Sequence, residues 1–248
     1  MLVGATARDL LLTHVFGLEV RRATHDLDFA VAVKDWEQFD ALRAGLLSRN
    51  TFKNRESAKQ RLYYKGKQDE YDYPIDLIPF GAISKGSNEI AWPPDLQTIM
   101  NVAGYEDVSA AAELVEISPG LIQKVVSIAG LGILKIVAWS DRGRDNPKDA
   151  HDLVFIMDSY TSAGNHDRVY DLDDVLEAGN HDPDVAGVYL LGLDMRRIAS
   201  ENTLAVVKQI IERDFDRLST DMIKPLRHIE NVEERVASRL TLLRQALA

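Results

Sequence analysis

Along residues 24–33 (Thr24-His25-Asp26-Leu27-Asp28-Phe29-Ala30-Val31-Ala32-Val33), apolar positions alternate with acidic or small ones. A period of two, with β-branched and aromatic residues and no Gly or Pro, predicts a strand. Leu27, Phe29, Val31 and Val33 take one face, and Asp26, Asp28, Ala30 and Ala32 take the other. A second strand is predicted over residues 73–81, Tyr73-Pro74-Ile75-Asp76-Leu77-Ile78-Pro79-Phe80-Gly81. Ile75 and Leu77 share one of its faces, and Asp76, Ile78 and Phe80 the other; Pro74 and Pro79 mark it as short or near an edge. The chain starts as a strand stub, Leu2-Val3, and turns helical after Gly4 until Gly17 ends the helix. Asp35 caps a helix over residues 36–48, where Trp36, Phe39, Leu42, Leu46 and Leu47 recur at helical spacing. Residues 108–117 fit either a short helix or a strand.

Beyond Ser118-Pro119-Gly120 the pattern becomes helical. Residues 127–140 are apolar on nearly every side except at Lys135, which predicts a buried helix. Residues 141–147 read as a loop, with Asn146 capping a helix that starts at Pro147 and runs to about Tyr160. A linker at 162–167 precedes helical patterns near 172–178, 183–200, 203–215 and 232–247. The expected division is residues 1–118 as an α+β domain and residues 119–248 as a helical one.

With 248 residues and 46% hydrophobic content, the chain can bury a full core. A net charge of -10 argues against a protein that coats nucleic acid, so any such contact is local. There is no cysteine, no signal-peptide pattern, and no apolar run long enough to span a bilayer. These features predict a cytoplasmic protein.

The candidate chemistry lies in the acids. Asp26 and Asp28 project from one strand face about 6–7 Å apart along the backbone. Such carboxylates repel unless a cation or proton lies between them, and hard oxygen donors suit Mg²⁺ or Mn²⁺. An exposed edge strand with two solvated aspartates fits the same alternation. Asp76, inside an apolar strand, needs a partner and would complete a three-carboxylate cluster. Gly4 permits close backbone approach, and a helix start after it offers N–H groups to a phosphate. The basic run Lys53, Arg55, Lys59, Arg61, Lys65 and Lys67, with a strand over 61–65, is either a solvated hairpin face or a basic lip beside an acidic site. Arg8-Asp9 is either an internal pair or a phosphate contact. Lys135 either snorkels or meets a phosphate or the acids, and Arg142 has a similar place. Lys148 and Asp152 are spaced as an i,i+4 pair, with Asp149 near the helix N-terminus.

Gly4-Ala5, Asp26-x-Asp28 and Asp76 together resemble the nucleotidyltransferase fold of the DNA polymerase β superfamily. Residues 2–11 with 26–30 look like the heads of tRNA CCA-adding enzymes and poly(A) polymerases. The nearer resemblance is to the AbiEii-type nucleotidyltransferase toxins, over residues 24–33, 74–81, 90–94 and 134–153. Its most specific parts are residues 75–81 and the series Leu134-Lys135, Asp141-Arg142 and Lys148-Asp149-x-x-Asp152-Leu153. The resemblance implies an α+β fold: a mixed nucleotidyltransferase sheet with flanking helices, then an α-helical C-terminal domain. It implies transfer of a nucleoside monophosphate from an NTP to a hydroxyl of RNA, such as tRNA, or of a protein, and an antitoxin partner. Asp26, Asp28 and Asp76 would be the catalytic, metal-binding acids; Gly4, Ala5, Lys135, Arg142, Lys148, Asp149 and Asp152 would bind the nucleotide. Two departures bear on the triphosphate. The family's Gly-Gly or Gly-Ser is Gly4-Ala5 here, and the chain begins almost on the glycine. They motivate a competing reading, a non-catalytic binding module of the same fold. The doublets His25-Asp26, His151-Asp152, His166-Asp167 and His181-Asp182 motivate another, a His/Asp metal phosphohydrolase, although no spacing brings the histidines together.

Overall fold

The structure, a computed structural model, describes residues 1–18, 24, 26–55, 59–66 and 71–248. His25 and Lys67, both noted above, lie outside the described residues. Two compact units form: Met1–Asp9 with Val20–Val126, and Leu10–Glu19 with Ser127–Ala248.

The first unit is built on a mixed seven-stranded sheet. Its strands are β1 (Leu2–Val3), β2 (Leu27–Ala32), β3 (Phe52–Asn54), β4 (Arg61–Lys65), β5 (Asp72–Phe80), β8 (Glu113–Ser118) and β9 (Leu121–Val125). Two more, β6 (Glu89–Ala91) and β7 (Ile99–Asn101), pair separately. The helices of this unit are α1 (Gly4–Asp9), α2 (Trp36–Leu47) and α3 (Tyr105–Ala110). The sheet order is β3-β4-β5-β2-β1-β9-β8. β2 and β5 run parallel within it. The cap expected for α2 is present: the Asp35 side chain accepts from the Gln38 N–H. The ambiguous stretch 108–117 resolves into the end of α3 and most of β8. Ser118-Pro119-Gly120, where the division at 118/119 was expected, is the turn between β8 and β9.

The edge placement expected for residues 73–81 is wrong: β5 lies between β4 and β2. The reason is local. β5 pairs with β4 only over Asp72 to Asp76 and with β2 only over Ile75 to Phe80. The Leu77 N–H points to the β4 side, where it donates to the Gln60 carbonyl, so the nitrogens of Pro79 and Pro74 point to the β4 and β2 sides respectively. Each proline therefore aims its hydrogen-free nitrogen where that neighbour does not reach, and an internal strand tolerates both.

The second unit is helical. It contains α4 (Ile128–Arg142), α5 (Lys148–Ser159), α6 (His166–Asp171), α7 (Asp173–Ala178), α8 (Pro183–Ile198), α9 (Glu201–Arg213), α10 (Phe215–Ile223) and α11 (Val232–Leu247). A π-helical stretch, Leu10–Val15, continues the chain from α1 into this unit. Helix α4 is its buried axis, as the all-round apolar pattern predicts. It runs through Arg142, so Asp141 and Arg142 belong to the helix rather than to the expected loop. In the expected linker at 162–167 the chain kinks: Ala163 and Gly164 leave helical geometry before α6 begins at His166. Gly164 at φ 77 provides the bend there, against the Phe16 ring. Among the described residues no helix is long and apolar enough to cross a membrane.

Candidate active site

Register builds the site. In the β4–β5–β2–β1 row, Arg61 lies opposite Asp76, Asp76 opposite Asp28, and Asp28 opposite Val3. Side chains opposite one another share a face, so Arg61, Asp76 and Asp28 project together. Asp26, two residues before Asp28, joins them, and the Thr6 hydroxyl of α1 fixes its backbone by donating to the Asp26 carbonyl at 2.6 Å. One carboxylate oxygen from each of Asp26, Asp28 and Asp76 falls within 4.8 Å of the others. The reading of Asp26 and Asp28 as solvated groups on an edge strand therefore fails, because β2 is internal.

Gly4 is set by the same cluster. Its φ is 71, and a Cβ there would collide with Asp28 Oδ2. Only glycine fits that place on both counts. Ala5, the next residue of α1, is not a positive-φ position, so alanine brings no left-handed strain there. Arg8 and Asp9 form an internal pair: Arg8 is buried and donates from Nε and Nη2 to Asp9 Oδ1 at 2.7 and 2.5 Å.

Among the described cations of the basic run, Arg61 is the one that meets the three acids. It grips Asp76 with two parallel hydrogen bonds, Nε to Oδ1 at 2.7 Å and Nη2 to Oδ2 at 2.6 Å. Its Nη2 is also 3.6 Å from Asp26 Oδ2. The hydrogen bond to Asp76 raises the Arg61 pKa above its ordinary value, outweighing partial burial, with the charges of Asp76 and Asp26 adding to it. Lys53 and Arg55 instead pair with Asp72 further along β5, which lowers that carboxyl's pKa.

The helical unit holds a second charged cluster. Lys135 does not snorkel; it is buried and donates to Asp149 Oδ1 at 3.0 Å and to Asp152 Oδ2 at 2.5 Å. Arg142 donates to both oxygens of Asp149, at 2.7 and 3.1 Å. Burial pushes the Asp149 carboxyl up, but the Arg142 hydrogen bonds and the charges of Lys135 and Arg142 outweigh it and hold it below its usual value. Asp152 thus serves Lys135 from the next helix rather than standing as a simple partner of Lys148. Lys148 is half-buried at the start of α5, where its backbone N–H donates to the Asn146 side chain.

The three sheet acids offer only hard oxygen donors. Mg²⁺–oxygen distances of about 2.0–2.1 Å place two oxygens on one ion up to about 4 Å apart, and paired catalytic ions are about 3.5–4 Å apart. A cluster spanning 4.8 Å fits that scale with small side-chain adjustments. Among the described residues no other three His, Asp or Glu side chains converge in this way. His166 and His181 bring no such group together, which leaves the phosphohydrolase reading without a site among the described residues.

A search of curated proteins finds no match to the chain. The sequence profile of the nucleotidyl transferase AbiEii toxin family, described as belonging to a type IV toxin–antitoxin system, matches residues 1–237. That match spans nearly the whole of a chain whose mixed sheet gathers three aspartates against a glycine turn, and the chain belongs to the nucleotidyl transferase AbiEii toxin family.

Proposed function

We propose that the protein is a metal-dependent nucleotidyltransferase that moves a nucleoside monophosphate from an NTP to a hydroxyl acceptor. The convergence of Asp26, Asp28 and Asp76 on one face of β2 and β5 carries this reading. Asp26, Asp28 and Asp76 would hold Mg²⁺ or Mn²⁺, which when bound neutralises phosphate charge and favours the attacking oxygen. Gly4 lets the chain turn beside Asp28 without a side chain, so the α1 start stays open to phosphate oxygens. Asp76, freed from Arg61, would accept the acceptor's proton. The acceptor oxygen bonds to the α-phosphorus, the α–β bridging bond breaks, and pyrophosphate leaves with that electron pair. The family resemblance extends nucleotide binding to Lys135, Arg142, Lys148, Asp149 and Asp152. It also supports RNA such as tRNA, or a protein, as acceptor, a role as the toxin of a toxin–antitoxin pair, and residues 1–118 as the transferase domain with 119–248 as its helical companion.

Titration of the four NTPs in the presence of Mg²⁺, on the native protein and on D26A/D28A, tests the reading. The expected result is Mg²⁺-dependent binding of at least one NTP that disappears in the double variant. A folded native protein that binds no NTP contradicts it.

A further inference from the structure

Arg61 occupies the carboxylate on which the three-acid site depends. Both oxygens of Asp76 accept from its guanidinium, in the parallel two-bond geometry that makes arginine–carboxylate pairs strong. The placement follows from the backbone, because strand register sets Arg61 directly across from Asp76. Asp26 is drawn into the same contact at 3.6 Å. A divalent cation and a guanidinium on the same carboxylate repel at short range. Arg61 also has somewhere to go: its side chain is 31% exposed, while that of Asp76 is 14% exposed.

We infer that Arg61 is a tethered cation that competes with divalent metal for Asp76, so that metal engages all three acids only as Arg61 lets go. The inference rests on the proposed metal-dependent function and adds to it a residue that sets metal affinity. Arg61 is in this sense a positioning residue, acting through Asp76.

The test is the affinity of the protein for Mn²⁺ alone, read from the electron paramagnetic resonance signal of free Mn²⁺. The series comprises the native protein, R61Q, R61K, D76N, R61Q/D76N and D26A/D28A, each checked for a cooperative thermal transition. R61Q is expected to bind Mn²⁺ about tenfold more tightly, the scale of one charge-assisted hydrogen bond. R61K, which keeps the charge but loses the two-bond grip, falls between native and R61Q. In the D76N background the same R61Q change has a small effect, about twofold or less, because the contested carboxylate is gone. Equal tightening with and without Asp76 overturns the competition, since it reports only a general charge effect. Unchanged or weaker binding by R61Q overturns it as well, and means that Arg61 supports the loaded site. If the native protein binds no Mn²⁺, or if D26A/D28A binds it as tightly as the native protein, the metal site itself is wrong, a result distinct from the failure of Arg61 alone.

Discussion

Each unit of this protein gathers aspartates against basic side chains, but the two groups differ in how far solvent reaches them. In the sheet unit, Asp26, Asp28 and Asp76 come from adjacent strands and stay open: the Asp26 side chain is 36% exposed. In the helical unit, Asp149 is sealed at 0% exposure between Lys135 and Arg142. A buried carboxylate survives only with matched cations in fixed hydrogen bonds, and Asp149 has them from two residues. A carboxylate cluster that water and ions reach can exchange its cation. Burial thus distinguishes a carboxylate whose cations are already fixed, Asp149, from a group that solvent ions reach.

Substitution separates the two. D26N/D28N removes two of three metal donors, and NMP transfer should fall at least about a thousandfold, since metal ions supply several kcal/mol of transition-state stabilisation. Its thermal midpoint should stay level or rise, because like carboxylates no longer repel. D149N should show its effect in stability, losing about 3 kcal/mol by leaving buried Lys135 short of a partner. Urea unfolding at neutral pH measures that loss. Its pH dependence has a definite sign. The Asp149 carboxyl is depressed in the folded protein, so its contribution is whole above the unfolded value of about 3.9. The contribution disappears as pH falls through the lower folded value, so the stability gap between native protein and D149N should close there. A smaller effect is expected for Gly4→Ala, whose Cβ meets Asp28 Oδ2 in a left-handed backbone. Strain of about 1–2 kcal/mol is expected, together with weaker Mn²⁺ binding as Asp28 is displaced. A Gly4→Ala protein with native metal affinity would remove Gly4 from the sheet cluster.

Much of this was legible in the sequence, for physical reasons. The alternation around Asp26 and Asp28 is legible because a strand with neighbours on both sides sends its apolar residues to one face and its acids to the other. The Asp35 cap, the largely apolar α4 and the helical pattern of α11 each follow from short-range rules. What escaped depends on distant pairing. Arg61 stood among six cations in one run, and only the β4–β5 register singles it out. Lys135 was identifiable as a lone charge on an apolar helix, but its partners lie on the next helix. The prolines of β5 misled because they signal an edge, whereas each faces a place where one neighbouring strand does not pair. Residues 162–167 read as a linker because Gly164 and Asn165 break the helical pattern, and the backbone does leave helical geometry at Ala163 and Gly164.

The most direct measurement is label transfer. The protein is incubated with Mg²⁺ and an RNA acceptor, tRNA first, with NTP labelled in parallel at the α- or the γ-phosphate. The account predicts that α-label becomes attached to the acceptor, that γ-label leaves as pyrophosphate, and that both events vanish in D26N/D28N. Transfer of γ-label to the acceptor, or α-label transfer that persists in D26N/D28N, would contradict it.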